Sequence, residues 1–214
     1  MFKTDLLIFD LDGTLADTKR DIGVSVNLTL RELGLPEKPD ALIYSYVGAG
    51  IRRLIQQAVG EEKGERFTEA MAVFRKHYLA HLLDTTKLYP GMDGVLDHFK
   101  DKKKAVVTNK AQLYTDKMMA GLKVRDRFEL ILGGDNGYPL KPDPKMLFTV
   151  LEKLSADPKR AVMIGDGMHD INAARAAGIA VCAVGYGLGD PEELRRAGPD
   201  FFCETVADLK KIFA

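Results

Sequence analysis

The most informative stretch of this sequence reads Phe9-Asp10-Leu11-Asp12-Gly13-Thr14-Leu15. It continues a short, mostly apolar run at residues 5–9, which predicts a buried β-strand. Side chains alternate along an extended chain, so Asp10 and Asp12 point to the same side, and Gly13 permits a sharp turn after them. Ligand sites in open parallel sheets lie beyond the carboxyl ends of the strands. This pattern indicates a functional site, with a turn that carries ordinary surface aspartates as the alternative.

Similar apolar runs recur along the chain, each followed by a polar or glycine-containing turn and then by a helical pattern. They lie at residues 105–108, 129–132, 161–164, 179–184 and 201–203. Strands that alternate with helices in this way form mostly parallel sheets with helices on both faces. The sequence therefore predicts an α/β protein whose core is a doubly wound, Rossmann-like parallel sheet.

The long interval between the first two strands shows helical periodicity and no strand pattern. Two sets of apolar residues each share a helical face: Ile22, Val26, Leu30 and Leu33, and then Phe67, Met71, Phe74 and Tyr78. An all-helical insertion of this length is typical of a small second domain. We predict a helical cap domain at residues 16–86, inserted into a catalytic core that is formed by residues 1–15 and 87–214.

A second acidic cluster, Gly165-Asp166-Gly167-Met168-His169-Asp170, follows the fourth predicted strand of the sheet. An aspartate at a helix start is commonly an N-cap, which is the ordinary interpretation of Asp170. Two acidic pairs at the ends of two strands of one sheet nevertheless favour a metal site. Oxygen ligands suit Mg²⁺, and the sequence has no histidine or cysteine spacing that would indicate zinc.

Three further residues supply donors that could bind a phosphate group at the same edge of the sheet. Thr108 and Asn109 end the second strand and precede a helix, whose N-terminus favours anions. Lys141 lies in the proline-stiffened loop Leu140-Lys141-Pro142-Asp143-Pro144. Taken singly, Thr108 is best interpreted as a strand-end cap and Lys141 as a solvated loop residue. Together with the aspartates, they predict a phosphate-binding site.

Composition excludes several classes of partner. Thirty-one basic residues balance thirty-one acidic ones, so no net charge favours nucleic acid or an anionic membrane. No apolar run is long enough to span a bilayer. Cys182 and Cys203 lie in apolar stretches without metal-binding spacing and are expected to be reduced core thiols. We therefore expect a cytoplasmic protein, and we expect the glycine-rich residues 185–189 to form a surface loop.

The ordered motifs resemble those of the haloacid dehalogenase-like superfamily. They are the first strand-end motif at residues 9–15, Thr108, the loop at residues 140–144 and the acidic cluster at residues 165–170. The helical insertion matches the position of that superfamily's cap domain. Residues 47–50 (Val-Gly-Ala-Gly), 89–91 (Tyr-Pro-Gly), 107–110 (Val-Thr-Asn-Lys) and 133–135 (Gly-Gly-Asp) further resemble the phosphoglycolate phosphatase branch.

The resemblance implies a role for each matched residue. Asp10 would attack phosphorus and form an aspartyl-phosphate, and Asp12 would act as general acid and then as general base. Mg²⁺ would be held by Asp10, the backbone carbonyl of Asp12 and Asp166, with Asp170 in support. The phosphoryl group would be neutralised by Thr108, the Asn109 amide and Lys141. Gly167 departs from the pattern, because relatives often carry a hydroxyl residue there.

The resemblance also implies a small phosphorylated metabolite as substrate, with phosphoglycolate as the leading candidate. The flexible Gly48-Ala49-Gly50 loop and the neighbouring Arg52 are expected to reach the substrate from the cap domain. The guanidinium of Arg52 would bind the substrate's carboxylate, with Arg52 and Arg53 both solvated on a cap helix as the alternative.

Two other functions stay open. A sugar-phosphate mutase of the same superfamily would return the phosphoryl group to the sugar instead of releasing phosphate. A non-catalytic module on the same fold would bind a phosphorylated ligand, because fold alone does not fix function. Release of inorganic phosphate would distinguish a phosphatase from both of these alternatives. The sequence leaves open whether the protein is a monomer or a homodimer.

Overall fold

The structure, a computed structural model, describes residues 1–61 and 63–214. The strands are β1 (Leu6–Phe9), β2 (Ala16–Asp17), β3 (Lys87–Leu88), β4 (Lys103–Ala111), β5 (Leu130–Gly134), β6 (Ala161–Gly165), β7 (Ala180–Val184) and β8 (Phe201–Cys203). The α-helices are α1 (Lys19–Glu32), α2 (Asp40–Tyr44), α3 (Ile51–Val59), α4 (Glu65–Ala80), α5 (Met92–His98), α6 (Gln112–Gly121), α7 (Lys145–Lys153), α8 (Met168–Ala177), α9 (Pro191–Arg196) and α10 (Leu209–Ile212). Short 3-10 helices lie at Arg125–Arg127, Pro158–Arg160 and Val206–Asp208.

Six of the strands form one parallel sheet in the order β5-β4-β1-β6-β7-β8. Strands β4 and β5 follow β1 on one side of it, and strands β6, β7 and β8 follow in that order on the other side. The strand order therefore reverses at β1, between β4 and β6. Such a switch point opens a crevice at the carboxyl ends of the strands, where α/β proteins bind their ligands. The α/β prediction is confirmed, and the first motif lies at the switch point.

Both faces of the sheet are covered, which explains why its strands read as continuous apolar runs. Leu7 and Phe9 of β1 pack into a cluster with α5, α6 and α10, whereas Leu6 and Ile8 pack into the opposite cluster with α7 and α8. None of these four side chains is exposed to solvent. Burying a large aliphatic side chain contributes about 1.5–3 kcal/mol, so β1 anchors the sheet from which the site projects.

Helices α1 to α4 form an insertion between β1 and β4, which we call the helical insertion. Its two predicted apolar faces are observed, since their members are buried or pack against the core. The chain enters and leaves the insertion through β2 and β3, which pair antiparallel with Ala16 opposite Leu88. The sequence did not predict this two-stranded ribbon, because two residues are too few to show a period. Its role as a separate cap domain stays a prediction.

Asp21 ties the first helix of the insertion to the segment that returns to the sheet. Its carboxylate accepts hydrogen bonds from the Thr85 amide at 3.0 Å, the Thr85 hydroxyl at 2.6 Å and the Thr86 amide at 2.8 Å. Burial by itself would raise the pKa of Asp21, but the hydrogen bonds from Thr85 and Thr86 lower it overall. The two segments through which the chain enters and leaves the helical insertion are therefore held side by side.

The two cysteines lie in the core on neighbouring strands. Cys182 and Cys203 are buried and free, with their sulfur atoms 3.5 Å apart, as expected for reduced thiols. Among the described residues, no helix is both long and apolar enough to cross a membrane.

Candidate active site

Three aspartates converge at the carboxyl edge of the sheet. Asp10 follows β1, Asp166 follows β6, and Asp170 lies in the first turn of α8. Carboxylate oxygens from all three lie within 4.8 Å of one another, and all three residues are buried. The structure thus brings together carboxylates that lie more than 150 residues apart in the sequence, because β1 and β6 are neighbours in the sheet.

Backbone amides and a hydroxyl hold two of these carboxylates in place. Thr14 donates its hydroxyl to Asp166 at 2.9 Å, and the Leu188 amide donates to the other Asp166 oxygen at 2.8 Å. The Gly167 amide donates to Asp170 at 3.0 Å. These contacts fix the orientation of the carboxylates before any ligand binds.

Lys141 brings a positive charge into the cluster. Its ammonium lies 3.1 Å from an Asp10 oxygen and 2.6 Å from an Asp170 oxygen, and it donates to the Val107 carbonyl at 2.8 Å. The residue is only 3% exposed, which rules out the interpretation as a solvated loop residue. Burial would lower the pKa of Lys141, but Asp10 and Asp170 raise it overall, so the ammonium stays charged.

The cluster carries more negative charge than Lys141 can offset. Burial raises the pKa of Asp10 to about 6, with Lys141 acting in the opposite direction and Asp170 adding to the rise. Burial, together with the charges of Asp10 and Asp170, raises the pKa of Asp166 to about 7. A divalent cation would relieve this repulsion. The donors are carboxylate oxygens without nitrogen or sulfur, which fits Mg²⁺ and not zinc.

Thr108 and Asn109, in the last part of β4, differ in what they offer to a ligand. Thr108 is buried and lines the same cavity as Asp10, so it lies at the site. The Asn109 side-chain amide is already engaged, because it donates to the carbonyls of Gly48 and Lys141 at 2.9 and 3.0 Å. Its oxygen accepts from the Lys141 amide at 2.7 Å. Any phosphate contact of Asn109 is therefore restricted to its backbone amide, and that contact stays a prediction.

The Asn109 contacts lead to a stability prediction. Asn109→Ala removes the partners of the buried Lys141 backbone groups, and an unsatisfied buried group costs about 1–3 kcal/mol. We expect the free energy of unfolding in urea to fall by about 3 kcal/mol. Asn136→Ala, at a half-buried position with longer hydrogen bonds, is the matched control and should cost less than about 1 kcal/mol. Equal losses in the two variants would contradict a bracing role for Asn109.

Lys110 is a residue of the site that the sequence interpretation did not assign. Its ammonium lies 2.9 and 3.0 Å from the two Asp12 oxygens, donates to the Tyr78 hydroxyl and sits 4.7 Å from the centre of the Tyr78 ring. Lys110 is only 7% exposed. The sequence feature that could have identified Lys110 as a site residue is its position directly after Thr108-Asn109, near the end of a strand.

Residues 185–189 form a loop, as predicted, but this loop is not freely exposed. The segment is half-buried and packs against Asp166, to which the Leu188 amide donates. A β-carbon at Gly187 would lie 2.3 Å from the Asp166 β-carbon and 2.4 Å from the Gly13 carbonyl oxygen. Alternate glycines directly after β7, at the same edge of the sheet, were the signal that could have revealed this close approach.

Gly187 is therefore expected to tolerate no side chain. Gly187→Ala forces backbone and buried atoms apart, and overpacking of this kind costs about 1–3 kcal/mol. We expect a lower thermal midpoint, measured by circular dichroism. Gly94→Ala is the control, because the nearest atom to its added methyl is the flexible Lys210 ammonium at 3.3 Å. A Gly187→Ala protein as stable as the Gly94→Ala protein would show that the loop moves away easily.

Two cavities with common lining residues lie between the sheet edge and the helical insertion. One measures about 50 Å³ and the other about 460 Å³, and Asp10, Asp12 and Gly48 line both. Arg52, in contrast, is not brought to either cavity. It is exposed, and its guanidinium lies 4.8 Å from the centre of the Phe67 ring within the insertion. The predicted substrate contact of Gly48 is compatible with this geometry, whereas that of Arg52 would require it to move.

The sequence from β1 to β7 identifies the family of this chain. Residues 7–184 match the family model of haloacid dehalogenase-like hydrolases. The chain is a haloacid dehalogenase-like hydrolase. The match begins one residue into β1 and ends at the last residue of β7, so it includes the helical insertion and all three aspartates of the cluster.

Similar proteins of this family carry a more specific name. The chain is 36% identical to a phosphoglycolate phosphatase of Aquifex aeolicus, over 97% of this chain and 95% of that protein. It is 37% identical to a phosphoglycolate phosphatase of Thiobacillus denitrificans, over 94% and 92% of the two chains. A crystal structure from Haemophilus somnus, described as a predicted phosphoglycolate phosphatase, superposes with a TM-score of 0.92 at 30% identity and covers 98% of this chain and 97% of its own.

Proposed function

We propose that this haloacid dehalogenase-like hydrolase is a Mg²⁺-dependent phosphatase of small phosphorylated metabolites, with phosphoglycolate as the leading substrate. The observation that carries the proposal is the placement of Asp10. Its buried carboxylate sits at the switch point of the sheet, beside the Lys141 ammonium and two residues before Asp12. The names of the similar proteins support phosphoglycolate as the substrate.

In the proposed mechanism Asp10 is the nucleophile. Its carboxylate is held by the Leu11 amide at 2.7 Å on one oxygen and by Lys141 at 3.1 Å on the other, so it needs little reorientation before attack. Attack on phosphorus forms an aspartyl-phosphate while Asp12 gives its proton to the departing ester oxygen. Asp12 then takes a proton from water, which attacks phosphorus, releases phosphate and restores the Asp10 carboxylate.

The acidic cluster would hold the metal. Asp10, the backbone carbonyl of Asp12 and Asp166 are the proposed ligands, and Asp170 supports them through its contact with Lys141. Mg²⁺ in this position would offset the charge of the carboxylates and of the transferring phosphoryl group. Thr108, the Asn109 backbone amide and Lys141 would neutralise the remaining phosphoryl oxygens, where most of the rate gain in phosphoryl transfer arises.

We further propose that residues 16–86 act as a cap domain over this site. Three contacts join the insertion to the core next to Asp10: Gly48 with Asn109, Tyr78 with Lys110, and Gly50 packed against Leu140 and the Asn109 carbonyl. A closed cap would exclude water from the reacting groups. The side chains of the site would then contact the substrate and not solvent. A cytoplasmic location, and a monomeric or homodimeric state without nucleic acid or membrane partners, complete the proposal.

A phosphate-release screen tests the proposed function. The purified protein is assayed with Mg²⁺ against phosphoglycolate and other small phosphomonoesters, and we expect phosphoglycolate to be among those with the highest kcat/KM. Isomerised sugar phosphate without phosphate release would identify a mutase. Binding of phosphorylated ligands without any turnover would identify a non-catalytic module.

A further inference from the structure

Lys110 lies in the smaller cavity and is not used by the mechanism described above. The walls of that cavity are mainly apolar and come largely from the helical insertion, including Leu54 and Phe74. Among the described residues that line it, Lys110 is the only lysine or arginine. A cation in such surroundings interacts strongly with an anion, because the low polarity of the walls weakens electrostatic screening.

The ordinary interpretation of Lys110 is a buried ion pair that only stabilises Asp12. The position of this pair favours a second role. Asp12 contacts the departing ester oxygen in the proposed mechanism, and the Lys110 ammonium lies one hydrogen bond beyond Asp12, at 2.9–3.0 Å. A carboxylate attached to the carbon next to the ester oxygen would therefore fall within reach of Lys110. An anion placed in this cavity without a cation would be costly to desolvate.

We propose that Lys110 selects the substrate: its ammonium binds the carboxylate of a phosphomonoester that carries this group on the carbon next to the ester oxygen. The assignment rests on the proposed phosphatase function and names the chemical class of its substrate. Tyr78 of the insertion accepts a hydrogen bond from the ammonium through its hydroxyl. Lys110 is thereby joined both to Asp12 of the core and to Tyr78 of the insertion.

The test compares two esters that differ only in the proposed recognition group. Phosphoglycolate carries a carboxylate where 2-hydroxyethyl phosphate carries a neutral hydroxymethyl group. Lys110→Met should lower kcat/KM for phosphoglycolate by at least about 100-fold, the range found when one partner of a buried charge pair is removed. Any damage to Asp12 lowers both rates, so the ratio of the two kcat/KM values isolates recognition of the carboxylate. We expect the ratio to fall by at least about 20-fold.

Two further variants complete the experiment. Lys110→Arg keeps the positive charge and should recover part of the preference for phosphoglycolate. Lys117→Met, at an exposed position on α6, removes a lysine outside the site and should leave the ratio unchanged. An equal fall for both esters in Lys110→Met would overturn the proposal, because it would show that Lys110 acts only on Asp12. A preference that survives in Lys110→Met and disappears in Arg52→Ala would overturn it as well.

The proposal and the phosphatase function can fail separately. If the parent protein hydrolyses phosphomonoesters without preferring the carboxylated one, the role of Lys110 is wrong and the phosphatase function stands. If it hydrolyses no phosphomonoester in the phosphate-release screen, the phosphatase function is wrong, and calorimetric binding of both esters decides the role of Lys110. Tighter binding of phosphoglycolate that is lost in Lys110→Met would support the role, and equal binding in parent and variant would refute it.

Discussion

Asp10→Asn is expected to lower kcat by at least about 1,000-fold, because an amide cannot form the aspartyl-phosphate. The fold should survive the change. Burial raises the pKa of the Asp10 carboxyl to about 6, so a charge at this position is costly, and a neutral amide of the same shape removes repulsion from Asp170. Lys141 keeps its ion pair with Asp170. We therefore expect a thermal midpoint equal to or above that of the parent protein.

Asp12→Asn provides the contrasting variant for this experiment. With p-nitrophenyl phosphate, whose leaving group needs little protonation, Asp10 can still be phosphorylated, but no base then activates water. Mass spectrometry should detect a phosphorylated protein in Asp12→Asn and none in Asp10→Asn. Turnover by Asp10→Asn within tenfold of the parent would exclude Asp10 as the nucleophile.

Removal of divalent metal with EDTA is expected to stop turnover, and Mg²⁺ should restore it better than Ca²⁺. The longer and looser coordination of Ca²⁺ would misplace the attacking oxygen relative to phosphorus. Metal binding requires deprotonated carboxylates, so protons compete with Mg²⁺. Because the pKa of Asp166 is raised to about 7 and that of Asp10 to about 6, Mg²⁺ affinity should weaken as pH falls from about 7 to about 5.

Stability gives a readout of the same site that does not depend on activity. A carboxyl whose pKa is raised in the folded state binds protons more tightly there than in the unfolded chain. The metal-free protein should therefore gain stability as pH falls through these raised pKa values. Mg²⁺ should raise the thermal midpoint most at pH 8 and least at pH 5, and Asp166→Asn should lose this effect.

In the turnover experiment, equal rates in EDTA and in Mg²⁺ would show that the metal takes no part in the reaction.

The sheet and its central carboxylates were predictable because their signals are local. A strand buried on both faces must be apolar throughout, and the residue after it must lie at the sheet edge, which places Asp10 and Asp166. The pairing of Lys110 with Asp12 was not predictable in this way, because it joins residues 98 positions apart. Its geometry depends on where β4 ends relative to β1.

The helical insertion shows the same limit. Periodicity revealed its helices and their apolar faces, but not their rotation over the sheet. Arg52 lies against the Phe67 ring in this structure, and its predicted contact with the substrate stays a prediction. Tyr78, which appeared only as an apolar-face residue, contacts the core beside Asp12. The close approach of residues 185–189 to Asp166 was not predicted, because glycine is common in exposed turns. Only the three-dimensional structure shows which atoms a side chain at these positions would contact.

The pairing of β2 with β3, through which the chain enters and leaves the helical insertion, has an evolutionary consequence. Because the chain leaves and re-enters the sheet at neighbouring points fixed by Asp21, the whole insertion can be exchanged without changing the strand order. Recombination at these two points would bring new walls to the substrate cavity while the proposed phosphoryl-transfer residues of the core are inherited unaltered. In the present chain such a transplant would leave Lys110 behind and remove Tyr78. The donor segment would therefore have to bring its own partner for the lysine, which limits the segments that a successful chimera can accept.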